Sequence, residues 1–106
     1  MSKVKFFNSY KLKKGVLVAD FLIAVQKLNN EYISKQKGYI SFELLVDNET
    51  FADCTTFETM EDAQNFAECS EINEFAENFY SFINFNSCKS NFFTVISKES
   101  GITYEI

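Results

Sequence analysis

Phe51–Ala63, FADCTTFETMEDA, decides the fold of this chain, because an alternating strand runs there directly into a capped helix. Phe51, Asp53, Thr55 and Phe57 alternate with Ala52, Cys54 and Thr56, the two-residue period of a strand. Thr59-x-x-Asp62 follows and reads as a capping box: the Thr59 hydroxyl takes an orphan helix N–H, and Asp62 reaches back to Thr59. One strand-to-helix corner is thereby placed, and the remaining segments are ordered around it.

Upstream, residues 3–13 alternate, with Val4, Phe6, Asn8, Tyr10 and Leu12 on one face. Lys3, Lys5, Phe7, Ser9, Lys11 and Lys13 fall on the other, and Gly15 ends the strand. Residues 17–35 read as a helix whose stripe is Phe21, Val25, Leu28 and Tyr32, with Ala24 beside it, closed by Lys35-Gln36-Lys37-Gly38. Residues 39–47 alternate again, Ile40, Phe42, Leu44 and Val46 opposite Tyr39, Ser41, Glu43 and Leu45. The turn Asp47-Asn48-Glu49 makes residues 50–58 the antiparallel partner.

Downstream, Met60, Ala63, Phe66 and Ala67 mark one helical piece, and Ile72, Phe75, Ala76, Phe79, Phe82 and Ile83 a second. The polar step Glu68-Cys69-Ser70-Glu71 breaks them. Residues 89–97 form the last core strand, and Ile102, Tyr104 and Ile106 alternate in a tail, residues 98–106, that reads as an extra edge strand or a swapped segment. Residues 1–106 are thus expected to form a single α+β domain of ferredoxin-like βαββαβ order: a four-stranded antiparallel sheet with two helices on one face. The opposite face would carry some of Phe7, Tyr39, Leu45, Phe93 and Val95, or the alternate set if the two faces are reversed, and a patch of that kind implies a homodimer with two sheets face to face. Tyr80 and Tyr104 are expected as dimer contacts.

Composition narrows the chemistry. The apolar content of 46% and the 13 Phe residues specify a packed core, and the chain has no His, Arg, Trp or Pro. Ser-His-Asp and Cys-His catalysis and His-based zinc sites are excluded within the chain. A net charge of −5 opposes nucleic-acid binding, and the basic run Lys3, Lys5, Lys11, Lys13 and Lys14 reads as a solvated strand face. Cys54, Cys69 and Cys88 are too scattered for a disulfide framework or a zinc site, and Cys54 and Cys69 read as small buried apolar groups. With no signal-like core and no apolar run long enough for a membrane, the expectation is a cytoplasmic protein with no membrane association.

At this point the chain resembles the antibiotic biosynthesis monooxygenase-like proteins of the dimeric α+β barrel superfamily, which include haem-degrading and quinol-oxidising monooxygenases. The resemblance rests on the first strand leading to Gly15, on Gln36-Lys37-Gly38-Tyr39, and on Phe57-Glu58-Thr59-Met60-Glu61-Asp62-Ala63. The last segment is similar to that family's aromatic-Glu-Ser/Thr-x-Glu-x-hydrophobic lead into its second helix. Haem-degrading members carry an Asn seven residues before a Gly, a spacing that Asn8 and Gly15 keep. The same resemblance places a haem-ligating His near Ala76-Glu77-Asn78, where this chain has none, and a Trp where this chain has Phe57. Haem degradation is therefore not expected, and neither a cofactor nor a metal is implied.

The residues themselves leave two readings open. In one, a cavity lined by Phe6, Phe42, Thr55, Phe57, Phe66 and Phe79 binds a hydrophobic aromatic small molecule and oxidises it without a cofactor. There Asn8 would position the reacting oxygen, Tyr10 and Asp53 would polarise or deprotonate, and Phe57 would wall the pocket. Asn8 stands out because an amide on an apolar face needs partners, and Asp53 because burial would raise its pKa. In the other, the same fold serves as a non-catalytic ligand-binding or interaction module, the Phe residues are ordinary core and Asp53 pairs with a neighbour.

Overall fold

A computed structural model describes residues 2–69 and 73–97. Its elements are β1 (Val4–Leu12), α1 (Val18–Glu31), β2 (Tyr39–Asp47), β3 (Thr50–Phe57), α2 (Met60–Glu68), α3 (Glu74–Tyr80) and β4 (Ile83–Thr94). A short 3₁₀ turn, Ile33–Lys35, follows α1. The strands form one antiparallel sheet in the order β2-β3-β1-β4, the ferredoxin-like arrangement, with the second helical crossover divided into α2 and α3. The tail at 98–106 and the step at 70–72 lie outside the described residues.

The central pair sets the faces. Val4 stands opposite Phe57, Phe6 opposite Thr55, Asn8 opposite Asp53 and Tyr10 opposite Phe51, so these eight side chains point toward the helices. Phe21, Val25 and Leu28 of α1 pack on Tyr10, Phe51, Phe79 and Ile83 in one cluster. Val4, Phe57 and Ala63 form a second cluster at the other end, with Phe66 tilted over Phe57 at 5.4 Å between ring centroids. On the open face, Phe93 meets Phe7 edge to face at 6.2 Å and Leu45 stands exposed. Lys5, on that face, bonds Thr56 and pairs with Glu43 at 3.7 Å.

At the corner after β3, the Thr59 hydroxyl accepts the Asp62 N–H at 3.0 Å. The Asp62 carboxylate does not complete a box: it turns against Gly38, whose φ of +81° and lack of a Cβ admit it. The β3–α2 corner is thus packed on the β2 lead-in, and the Glu58 N–H donates to the Gly38 carbonyl at 2.8 Å.

Four expectations are corrected. The helical stripe Phe79-Phe82-Ile83 does not continue as helix, because α3 ends at Tyr80 and Ile83 pairs with Leu12 as the first residue of β4. The last strand therefore spans Ile83–Thr94 and not 89–97, although the Val95 N–H still donates to the Lys3 carbonyl at 2.8 Å. Tyr39 lies on the helix face, not the open face, since a bulge between Tyr39 and Ser41 reverses the alternation. Helix α1 stops at Glu31, and the chain tightens into the 3₁₀ turn before Lys35.

Phe57 is fully buried between Val4, Ala63 and Phe66. Phe57→Ala is expected to lower the unfolding free energy by about 3–5 kcal/mol in urea titration, the cost of a cavity in a close-packed core. A loss below about 1 kcal/mol would show that the site is not packed as described.

Candidate functional site

The cavity lies between the sheet and the helices, on the side of β1 where β4 departs from regular pairing. Ser9 pairs with Lys89 but Lys11 with Asn84, so two steps along β1 are matched by five along β4. The surplus residues leave the ladder and are held by local bonds: Asn86 N–H to Asn84 Oδ1 at 3.1 Å and Ser87 Oγ to the Asn84 carbonyl at 2.6 Å. Ser87 is then anchored across the sheet, where its hydroxyl accepts the Lys11 N–H at 2.8 Å. The displaced backbone opens a cavity of ≈ 440 Å³, within the range that holds a small ligand.

Its floor is buried and its rim exposed. Tyr10 of β1, Asp53 and Thr55 of β3, Phe79 of α3 and Ile83 of β4 form the floor. Tyr80, Phe85, Cys69, Cys88 and Ser90 form the rim, and Phe6 and Phe66 close one side in edge-to-face contact at 6.2 Å. The lining is predominantly apolar, with its polar groups gathered at one place.

That place is a hydrogen-bonded chain across three strands. Ser90 of β4 donates to Asn8 Oδ1 of β1, and Asn8 Nδ2 donates to Asp53 Oδ1 of β3 at 3.0 Å. The Tyr10 hydroxyl donates to Asp53 Oδ2 at 2.7 Å. The direct cross-strand pairing of Asn8 with Asp53 brings amide and carboxylate together, and Ser90, opposite Asn8 on the other side, orients the amide. The Asp53 side chain thus receives one donor on each oxygen.

Burial raises the Asp53 carboxyl above its usual range, against the downward pull of the bonds from Asn8 and Tyr10. Burial first, then the Asp53 charge and the hydrogen bond to it, push the Tyr10 phenol far above its ordinary value. Tyr80 and Cys88 are raised by burial and, next, by the charge on Asp53, so the carboxylate's field extends toward the rim.

The candidates from sequence are distributed as follows. Asn8, Tyr10, Asp53 and Thr55 meet in the cavity, joined by Phe6, Phe66 and Phe79. Phe42 packs on the main core cluster from β2, and Phe57 is sealed in the second cluster; neither lines the cavity. Cys54 is buried, but Cys69, at the C-terminal end of α2, is exposed, 3.8 Å from the Tyr32 hydroxyl. Its position past the helix end places it on the cavity rim and not in the core. Tyr80 also lines the cavity, on the helix side of the sheet. Sequence reasoning does not reach Phe85 and Cys88, whose positions depend on the β4 bulge, or Ser90, whose pairing with Asn8 depends on the β1–β4 register. Among the described residues, no group of three or more His, Cys, Asp and Glu side chains could hold a metal ion, and no helix is long and apolar enough to cross a membrane.

The sequence matches no family model and no curated protein. Solved structures share its fold. The crystal structure of SnoaB, a cofactor-independent oxygenase from Streptomyces nogalater, superposes with a TM-score of 0.75 at 12% identity, covering 94% of this chain and 99% of that one. A Bacillus cereus protein assigned as an antibiotic biosynthesis monooxygenase does so with a TM-score of 0.64 at 18% identity, covering 95% and 100%. A dimeric protein of unknown function with a ferredoxin-like fold from Bacteroides fragilis gives a TM-score of 0.62 at 17% identity, covering 88% and 96%. At such identities the likeness establishes a common fold.

The raised Asp53 carboxyl predicts a pH signature in stability. Below its unfolded pKa of about 4, Asp53 is protonated in both states and its burial carries no charge penalty. As pH rises toward the higher folded value, the unfolded chain ionises first and the native state loses stability. The unfolding free energy of the wild type minus that of Asp53→Asn is therefore expected to fall with pH above about 4, as read in urea titrations at several pH values. A difference that stays flat or rises would overturn the raised pKa.

Proposed function

We propose that the protein is a homodimeric relative of the antibiotic biosynthesis monooxygenases that binds a hydrophobic aromatic small molecule in this cavity and oxidises it with O₂, without metal, haem or flavin. The observation that carries the reading is a buried carboxylate bracketed by an amide and a phenol at the floor of an aromatic cavity. The fold held in common with SnoaB, described as a cofactor-independent oxygenase, supports it.

In this reading the ionised Asp53 accepts a proton from a phenol or enol hydroxyl of the ligand. The resulting anion supplies the electrons: one passes to O₂, the radical pair combines at carbon to give a peroxide, and loss of water leaves a carbonyl. For a substrate SH₂ the balance is SH₂ + O₂ → S=O + H₂O, one oxygen atom staying on the product. Asn8 has a second amide N–H beyond the one given to Asp53, which can hold the developing oxyanion or peroxide. Tyr10 keeps its proton and holds the carboxylate.

Anthrone is a suitable probe, since its enol is a polycyclic phenol and the same balance converts it to anthraquinone and water. The protein is expected to accelerate O₂ uptake with anthrone. The rate should rise with pH through the raised Asp53 pKa, because the ionised form is the base. Asn8→Ala and Asp53→Asn, checked for folding by circular dichroism, should each lose about 10²-fold in rate. A second reading, a binding module without catalysis, draws on the fact that each Asp53 oxygen already accepts a hydrogen bond, one from Asn8 and one from Tyr10. Anthrone binding with no acceleration of O₂ uptake would select it.

The homodimer is supported by the apolar open face around Phe7, Leu45 and Phe93. The shared fold with a dimeric Bacteroides fragilis protein points the same way. Phe93→Glu is expected to convert a dimer to a monomer in sedimentation velocity; a monomeric wild type would reject the assembly.

A further inference from the structure

We infer that the ligand carries a protonated amine, and that the cavity selects an aromatic ammonium over a neutral or anionic molecule of the same shape because a lone carboxylate and a run of rings line it. The inference rests on the reading of the cavity as the ligand site and names its substrate class.

Charge in the lining is one-sided. Among the described residues that line the cavity, Asp53 is the only one of the Asp, Glu, Lys or Arg type, and the chain contains no Arg or His. An anionic ligand would have no counter-charge within the cavity and would face the buried carboxylate directly. The whole molecule, at −5, adds to the same sign.

A path of rings leads from the rim to that charge. Phe85 lies against Tyr80 with centroids 5.6 Å apart, Tyr80 against Phe79 at 5.6 Å, and Phe79 against Tyr10 at 5.7 Å. Tyr10 ends the path with its hydroxyl on Asp53 at 2.7 Å. Aromatic rings attract a cation over their faces, more strongly once water is excluded, so this aromatic lining favours an ammonium over an anion.

Asp53 also keeps capacity for the cation. An ionised carboxylate offers about four acceptor positions, and Asn8 and Tyr10 occupy one on each oxygen. A positive charge on the ligand also stabilises a phenolate or enolate formed beside it, which suits the proposed reaction.

The test uses the intact protein and three probes on one frame: naphthylethylamine, naphthylethanol and naphthylacetate, titrated calorimetrically near neutral pH. The amine is expected to bind about tenfold more tightly than the alcohol, and the acetate about tenfold more weakly. N-acetylation of the amine, which removes its charge and keeps the frame, should return it to the affinity of the alcohol. Asp53→Asn should bring the amine-to-alcohol ratio close to one; should that variant not fold, the acetylated probe on the wild type carries the same comparison. Alcohol or acetate binding as tightly as the amine would overturn this inference and leave the cavity as a ligand site. A preference that survives Asp53→Asn would overturn the role of the carboxylate. Failure of all three probes to bind would overturn both the inference and the reading beneath it.

Discussion

The pairing of β1 with β3 carries the rest of the molecule, because both are central strands and their register decides which side chains face the helices. Side chains alternate along a strand, so a slip of β3 by one residue would turn Phe51, Asp53, Thr55 and Phe57 to the open face and part Asp53 from Asn8 and Tyr10. Every residue from Phe51 to Phe57 is buried, which makes β3 the least forgiving segment of the chain. Asp53 sits at its middle. A carboxylate there is tolerated only because the same register delivers Asn8 opposite it and Tyr10 two residues along, each donating to one oxygen.

The β4 bulge converts that buried network into a site. Regular pairing on the N-terminal side of Lys89 would carry β4 straight along β1; the residues from Phe85 to Cys88 instead leave the ladder, and Phe85 and Cys88 join the rim of the cavity. Bulges kink a strand and redirect its side chains at little expense in core packing. Here the core beside it stays closed, with Phe21 and Ile83 almost wholly buried. The polar chain from Ser90 to Tyr10 therefore runs from the exposed rim to the buried floor that Phe79 and Thr55 share.

The two sheet faces have different tasks. The helix-side face holds both the core and the cavity, and packs aromatic rings edge to face around Phe21 and Tyr10. The open face carries Phe7, Leu45 and Phe93 beside small buried groups such as Ala52 and Cys54. Thr59 and Gly38 join these layers at one corner, where a cap bond and a missing Cβ bring α2 down onto the sheet.

Sequence alone determined the order of the elements and which residues share a face on β1 and on β3, because strand period and a capped corner are local properties of the chain. The buried stripe of α1 followed in the same way from its helical period. Tertiary structure decided what depends on one strand's position against another. Tyr39 changed faces through a bulge, and Ile83 left a helical pattern to pair with Leu12. Phe57 and Phe42 were taken into the core while Phe85, Cys88 and Ser90 became the cavity's rim. Local periodicity reports which side of its own element a residue occupies, whereas a cavity is the space left between elements, and its walls exist only once their register is set.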